Sequence, residues 1–279
     1  MKIMYKSILV LISLVFIHYV LALNFPNIGS ATHQFQDNII KVEEYVYNPK
    51  DTVVVGTSLS ARILYDSLSN VQSIAFGGGS PEAGLVLLQR MQSVPKVVLV
   101  EKNLITRKCD LRFIDNVTGT TKHFLCSYLP NFREKNKPIC MFFGSLIKLS
   151  GINSYKAAVN VPEELLTERI VVKIKAIKEI PIDYVEYENR LRTLKWLMDS
   201  LEQRGSNFVL FNMPINKKLF DAEKDERIDS LIEKYFPSYD YNYLPCDTTE
   251  YMTTDGQHLS YPEQVRYTSF FKKAIKNIK

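Results

Sequence analysis

The sequence predicts an α/β protein, a three-layer α/β/α sandwich with a mostly parallel sheet, preceded by an N-terminal signal anchor. Three observations predict it. Short apolar runs at Val53-Val54-Val55, Gln72 to Phe76, Val97 to Val100 and Asn207 to Met213 each end on glycine, proline or a polar residue. Segments with apolar residues at helical spacing lie between them. Strands buried on both faces read as such runs, and their alternation with helices is the mark of a parallel sheet covered on both sides. The chain also opens with Lys2 and Lys6 ahead of an almost uncharged apolar run from Ser7 to Leu23.

That opening run falls between the length of a signal-peptide core and that of a spanning helix. The positive flank comes first, so the N-terminus is expected in the cytoplasm and the remainder outside it. Val20-Leu21-Ala22 is a poor cleavage site because of its bulky residues, which favours an uncleaved anchor; cleavage would make the protein secreted. Residues 24–50 read as a polar connector ending at Asn48-Pro49, and 51–279 as one domain. In that domain Val53 to Val55 form the first strand, closed by Gly56, and Ser60 to Ser69 has helical character. Gln72 to Phe76 is the second strand, broken by Gly77-Gly78-Gly79. Ser80 to Met91 is a helix, with Ser80 as its cap, Pro81 in its first position, and Leu85, Leu88 and Met91 at helical spacing. Lys96 to Glu101 is the third strand. An insertion at about 104–178, holding Gly119, Pro130, Pro138, Gly144 and Gly151, reads as irregular loops with short helices, of the sort that cover substrates. Asp183 to Arg204 is an amphipathic helix ended by Gly205, and Asn207 to Met213 the fourth strand. A helix at Asp221 to Tyr235, a short strand at Tyr239 to Leu244 and a closing helix at Tyr261 to Ile278 complete the order.

With 279 residues, 46% of them hydrophobic, the chain can bury a full core. Its net charge of +5 is scattered, with no basic run interleaved with aromatics, which argues against a nucleic-acid partner. The triple glycine lacks the Gly-Lys-Ser/Thr of a phosphate cradle. The four cysteines, Cys109, Cys126, Cys140 and Cys246, match no zinc motif. Either one bridge among the first three or four unpaired thiols fits the spacing.

In a parallel sheet, ligands bind beyond the carboxyl ends of the strands. Ser58 follows the first strand, the triple glycine the second and Asn103 the third, while Asp255 and His258 precede the last helix. A serine hydroxyl is a poor nucleophile at neutral pH and needs a base, which in turn needs an acid to orient it. The bland readings are a capping serine at Ser58 and a surface Asp-Gly turn at Asp255-Gly256. Ser60 is a rival hydroxyl, and His18, His33 and His123 read as incidental.

Gly56-Thr57-Ser58-Leu59 resembles the first sequence block of the SGNH/GDSL hydrolase superfamily, with threonine in place of the usual aspartate. Ser73 to Ser80 is similar to the second block, Val97 to Asn103 to the third, and Asp255-Gly256-Gln257-His258 to the fifth. The last of these is the most specific, and the match leaves the middle insertion unexplained. The third block departs from the commoner Gly-x-Asn-Asp, and the second carries Ser73 and Ala75 where many members have other residues, so Gly77 or Gly79 competes with Gly78 for the glycine role. The resemblance implies Ser58 as nucleophile, His258 as general base and Asp255 as its orienting acid. It implies an oxyanion hole from the N–H groups of Ser58 and Gly78 and the Asn103 side-chain amide. Shortened third blocks occur in relatives acting on envelope polysaccharides. The implied function is a serine-dependent carbohydrate esterase or O-acyltransferase, working on acyl esters, foremost acetyl, of an envelope or exported glycan through an acyl-serine, with no cofactor and no metal. Implied partners are the acylated carbohydrate, the membrane and an acyl-donor protein. The alternative is an anchored, non-catalytic glycan-binding or scaffold protein that keeps the fold.

Overall fold

The computed structural model describes residues 2–150, 161–179, 181–223, 225–276 and 278. Gly151 and the adjoining part of the expected insertion lie outside them. In chain order, α1 (Lys2–Asn24) and α2 (Gln34–Tyr47) precede β1 (Thr52–Gly56), β2 (Val71–Ala75), α3 (Pro81–Arg90) and β3 (Val97–Glu101). Four helices follow: α4 (Leu111–Thr118), α5 (Thr120–Tyr128), α6 (Pro138–Ser150) and α7 (Glu163–Glu179). Next come α8 (Tyr184–Glu202), β4 (Asn207–Phe211), α9 (Lys217–Glu223), α10 (Glu226–Tyr235), β5 (Asn242–Tyr243) and α11 (Tyr261–Ile275). The chain divides into two compact units, residues 1–47 with 115–154 and residues 48–114 with 155–279.

In the first unit, residues 3–24 of α1 form a helix of 22 residues that is long and apolar enough to cross a membrane. At 1.5 Å per residue it measures about 33 Å, close to the thickness of a hydrocarbon core. The expected connector contains a helix, α2, whose buried face is partly polar. Gln36 Nε2 donates to Glu134 Oε1 (3.0 Å), and Glu43 Oε2 accepts from the Glu134 backbone N–H (2.6 Å). Glutamine and glutamate face inward beside Val42 and Tyr45, although Phe35, Ile39, Val42 and Val46 recur at helical spacing in the sequence. The described part of the insertion is likewise mostly helical. Gly119 leads into α5 and Pro138 opens α6, while Gly144 lies inside α6 on its buried face.

The second unit is built on a five-stranded sheet, order β2-β1-β3-β4-β5, with every neighbouring pair parallel. Val53–Val55 and Val98–Val100 are fully buried, as strands covered on both faces should be. Val54, Leu99, Val209 and Phe211 share one core cluster with Tyr267 and Phe271 of α11. Val55 faces the opposite way, against Gly84 of α3. Helix α3 packs on α8, which buries Leu191, Leu194, Leu197, Met198 and Leu201. Ser80 caps α3, and Asp183 caps α8 by accepting from the N–H groups of Val185 and Glu186. The result is the α/β/α arrangement expected from the sequence.

Local differences have local causes. Ser60 to Ser69 forms two 3-10 turns in place of a helix, because the Leu64 N–H donates to Thr268 Oγ1 (3.0 Å) instead of continuing a ladder. Two helices, α9 and α10, lie in the region of the expected single one; Asp225 caps the second by accepting from Arg227 and Ile228. Strand β5 spans two residues. All four cysteines are unpaired.

Phe271 is fully buried, with its ring 5.3 Å from that of Phe211. Phe271→Ala is expected to lower unfolding free energy by about 3–5 kcal/mol, read as a shift in denaturant midpoint.

Candidate active site

The strand order reverses at β1. The chain passes outward from β1 to β2, then crosses back to place β3 on the other side of β1. A crevice opens at such a switch point beyond the strand carboxyl ends. Ser58 lies two residues past β1, Gly78 follows β2 and Asn103 follows β3. The three therefore stand at the ends of adjacent strands, with Ser58 on the central one.

The loop carrying Ser58 is fixed from below by Glu101, the last residue of β3. Its carboxyl group is fully buried and accepts four hydrogen bonds. Oε2 takes the Thr57 N–H (2.8 Å), the Ser60 N–H (3.1 Å) and the Ser60 hydroxyl (2.5 Å), while Oε1 takes the Thr57 hydroxyl (2.7 Å). Ser58 is thus held between two tied residues. Ser60, the rival hydroxyl, is consumed in this anchor. Gly56 leaves the room the anchor needs: a Cβ there would lie 2.2 Å from Ser60 Oγ and 2.6 Å from Glu101 Oε2.

Across the crevice, an antiparallel bridge between Thr253 and Leu259 pinches residues 254–258 into a loop. Gly256 turns it with φ +90, a conformation that a side chain disfavours. Asp255 organises the loop with both oxygens. Oδ1 accepts the backbone N–H of Gln257 (3.1 Å) and of His258 (2.8 Å), and Oδ2 lies 2.9 Å from His258 Nδ1. A carboxylate at that distance keeps the proton on Nδ1, which leaves Nε2 as an acceptor. His258 Nε2 is 2.9 Å from Ser58 Oγ. Residues separated by 200 positions are therefore joined in one line from carboxylate to imidazole to hydroxyl.

Helix α7 contributes a part that sequence reading missed. Lys173 Nζ sits 2.8 Å from Asp255 Oδ2, the same oxygen that faces the histidine, and 3.1 Å from Gln257 Oε1. Arg169 donates to the Thr254 carbonyl (2.9 Å), and Ile170 packs under Gly256. Burial pushes the Asp255 carboxyl up, but hydrogen bonds from the His258 ring, its backbone N–H and Lys173 outweigh that and hold it well below the usual carboxylate range. Glu223, which accepts from Gln257 Nε2 (3.4 Å), is shifted the other way: burial raises it against the pull of Gln257 and Lys173.

Gly78 adopts φ +72 in an exposed turn. The Asn103 amide is engaged with the end of β4, donating to the Met213 carbonyl (2.9 Å) and accepting from the Met213 N–H (2.7 Å). One of its two amide hydrogens is thereby spoken for. His18, His33 and His123 lie in or beside helices of the first unit, apart in sequence from this cluster. Among the described residues no group of histidine, cysteine and carboxylate side chains is arranged to hold a metal ion.

No protein-family model matches the chain, and searches of curated proteins and of solved structures also find no match.

Two outcomes follow from this geometry. Glu101→Ala strands four buried donors, so unfolding free energy should fall by about 3 kcal/mol or more in denaturant titration. Lys173→Met removes one of the donors that hold the Asp255 carboxyl low, so the Asp255 pKa rises. The Asp255 carboxyl titration, followed by carbon NMR, should move upward in Lys173→Met and stay near wild type in Lys173→Arg; an unchanged or lowered midpoint in Lys173→Met would contradict this account.

Proposed function

We propose that this chain is a serine-dependent esterase or O-acyltransferase of the SGNH/GDSL kind, held at a membrane by α1. Its substrates are acyl esters, foremost acetyl, of an envelope or exported glycan. The observation that carries the reading is the line Asp255–His258–Ser58, with 2.9 Å at each side-chain step, at the switch point of a parallel sheet.

In the proposed reaction, Ser58 Oγ attacks the ester carbonyl carbon as its proton passes to His258 Nε2. Asp255 keeps the ring oriented and stabilises the imidazolium. The negative charge that develops on the carbonyl oxygen is met by the backbone N–H groups of Ser58 and Gly78 and by the second amide hydrogen of Asn103. Donors aimed at that oxygen are worth roughly 3–4 kcal/mol each. Collapse of the tetrahedral intermediate breaks the C–O bond, and His258 returns the proton to the departing alcohol. The acyl-serine is then cleared by water or by a sugar hydroxyl, with His258 again taking the incoming proton.

The glycan assignment draws on the likeness of the third block to envelope-polysaccharide members and on the apolar N-terminal helix. Lys2 and Lys6 ahead of that helix support placement of the catalytic unit outside the cytoplasm. The last turns of α1 support its retention: Ala22 is buried, and His18 Nε2 lies 2.7 Å from the Asn136 backbone oxygen. An acyl-donor protein is the partner that the transferase form requires.

A fluorophosphonate should label Ser58, as located by mass spectrometry, and labelling should vanish in Ser58→Ala and fall by about 10³-fold or more in His258→Ala. With an activated acetyl ester, free acetate released regardless of added glycan identifies a hydrolase, whereas donor consumption that rises with glycan identifies a transferase. Folded wild-type protein that takes no label would sink the enzymatic reading and leave the non-catalytic scaffold.

A further inference from the structure

We infer that α6 is a second membrane-contacting element, lying lengthwise in the leaflet from which the C-terminal end of α1 emerges. This rests on the placement of α1 in a membrane and is independent of the hydrolase reading. The outward face of α6 is the first reason. Ile139, Phe142, Leu146 and Leu149 recur at spacings of three, four and three and are 58%, 62%, 47% and 85% exposed. A helix facing water carries polar residues on such a stripe. On α6 the order is inverted: small residues, Cys140 and Gly144, turn inward, and Lys148 is the helix's one charged residue.

The second reason is depth. His18 Nε2 contacts the Asn136 carbonyl just ahead of α6, and His18 is six residues, about 9 Å, from the end of α1. The inward face of α6 meets the chain where it leaves α1: the Ser30 N–H donates to the Cys140 carbonyl (3.1 Å), and a Cβ on Gly144 would fall 1.7 Å from the Ile28 carbonyl oxygen. These contacts bracket α6 between the last turns of the span and its exit. With 13 residues, about 20 Å, it is too short to cross.

The third reason is continuity. An apolar groove of about 620 Å³ runs between the two helices, walled by Leu14, His18 and Leu21 on one side and Pro138, Met141 and Phe142 on the other. Phe142 belongs both to this groove and to the exposed stripe, so the apolar surface of α1 passes into that of α6 without a polar break. Acyl chains that surround α1 at this level would also meet the stripe. A helix lying in the interface plane with its apolar side among the chains is the physical outcome.

The test uses the full-length chain. The single tryptophan, Trp196, is exposed and is replaced by phenylalanine. One tryptophan is then introduced at Leu149, at Phe142, or at Leu9 on α1 as a reference; all three positions are well exposed, so none loads the core. The proteins are reconstituted in phosphatidylcholine–phosphatidylglycerol vesicles with or without brominated acyl chains. Positions 142 and 149 should be quenched by the brominated lipid to an extent comparable with position 9, and shielded from aqueous acrylamide. Quenching at 9 with none at 142 and 149 overturns the proposal while leaving the anchor intact; no quenching at any position removes the anchor as well. Shielding from both quenchers, with Leu149→Cys forming a dimer by disulfide, would assign the stripe to a second copy of the chain and also overturn it.

Discussion

The second unit depends on one buried carboxyl group. Glu101 closes an otherwise apolar strand, and it collects the backbone and hydroxyl donors of Thr57 and Ser60 in the neighbouring loop. A buried carboxyl group is costly unless its oxygens are satisfied, and here four donors from Thr57 and Ser60 do so. The same bonds that make Glu101 tolerable remove the freedom of the residues on either side of Ser58. A serine held this way meets the imidazole with little reorganisation, which is the condition electrostatic and general-base catalysis asks of a scaffold.

The opposite wall follows a similar logic with charges that are only partly buried. Asp255 uses one oxygen to shape its own loop and the other to face both a histidine and a lysine. The lysine makes the carboxylate easier to keep ionised, but it also dilutes the negative field at the imidazole. The carboxylate that orients the ring is therefore shared between two neighbours, His258 on its own loop and Lys173 on α7. Ile170 and Arg169 add a non-polar floor and a backbone tie from the same helix, so α7 shapes the loop as well as its charge.

The sheet was legible because its strands are short apolar runs, and the meeting of Ser58 with Asp255 and His258 because the one follows the first strand and the others precede the last helix. What stayed hidden had physical reasons. Helix α2 carries an apolar period in Phe35, Ile39, Val42 and Val46, but with glutamine, asparagine and glutamate on its buried side the segment reads as a polar connector. The glycines and prolines of the insertion read as loop residues, yet Gly119 and Pro138 stand at helix starts and Gly144 lies within α6, where its missing side chain admits the Ile28 carbonyl. Lys173 lies 82 positions from Asp255, and no local pattern joins a lysine on one helix to a distant carboxylate. Glu101 offered a fainter clue: a carboxylic acid at the tip of a strand with valine and leucine before it has to find donors somewhere. Its use as a strut for the serine loop emerges only once β1 and β3 are seen as neighbours.

The margin of the sheet has its own consequence. Strand β5 is two residues long, and Pro245 lies two residues beyond it. Few unpaired amides and carbonyls are left along that rim to template an incoming strand from another molecule. The truncated margin makes this end of the sheet a poor seed for such pairing, while β2, five residues long, forms the opposite margin.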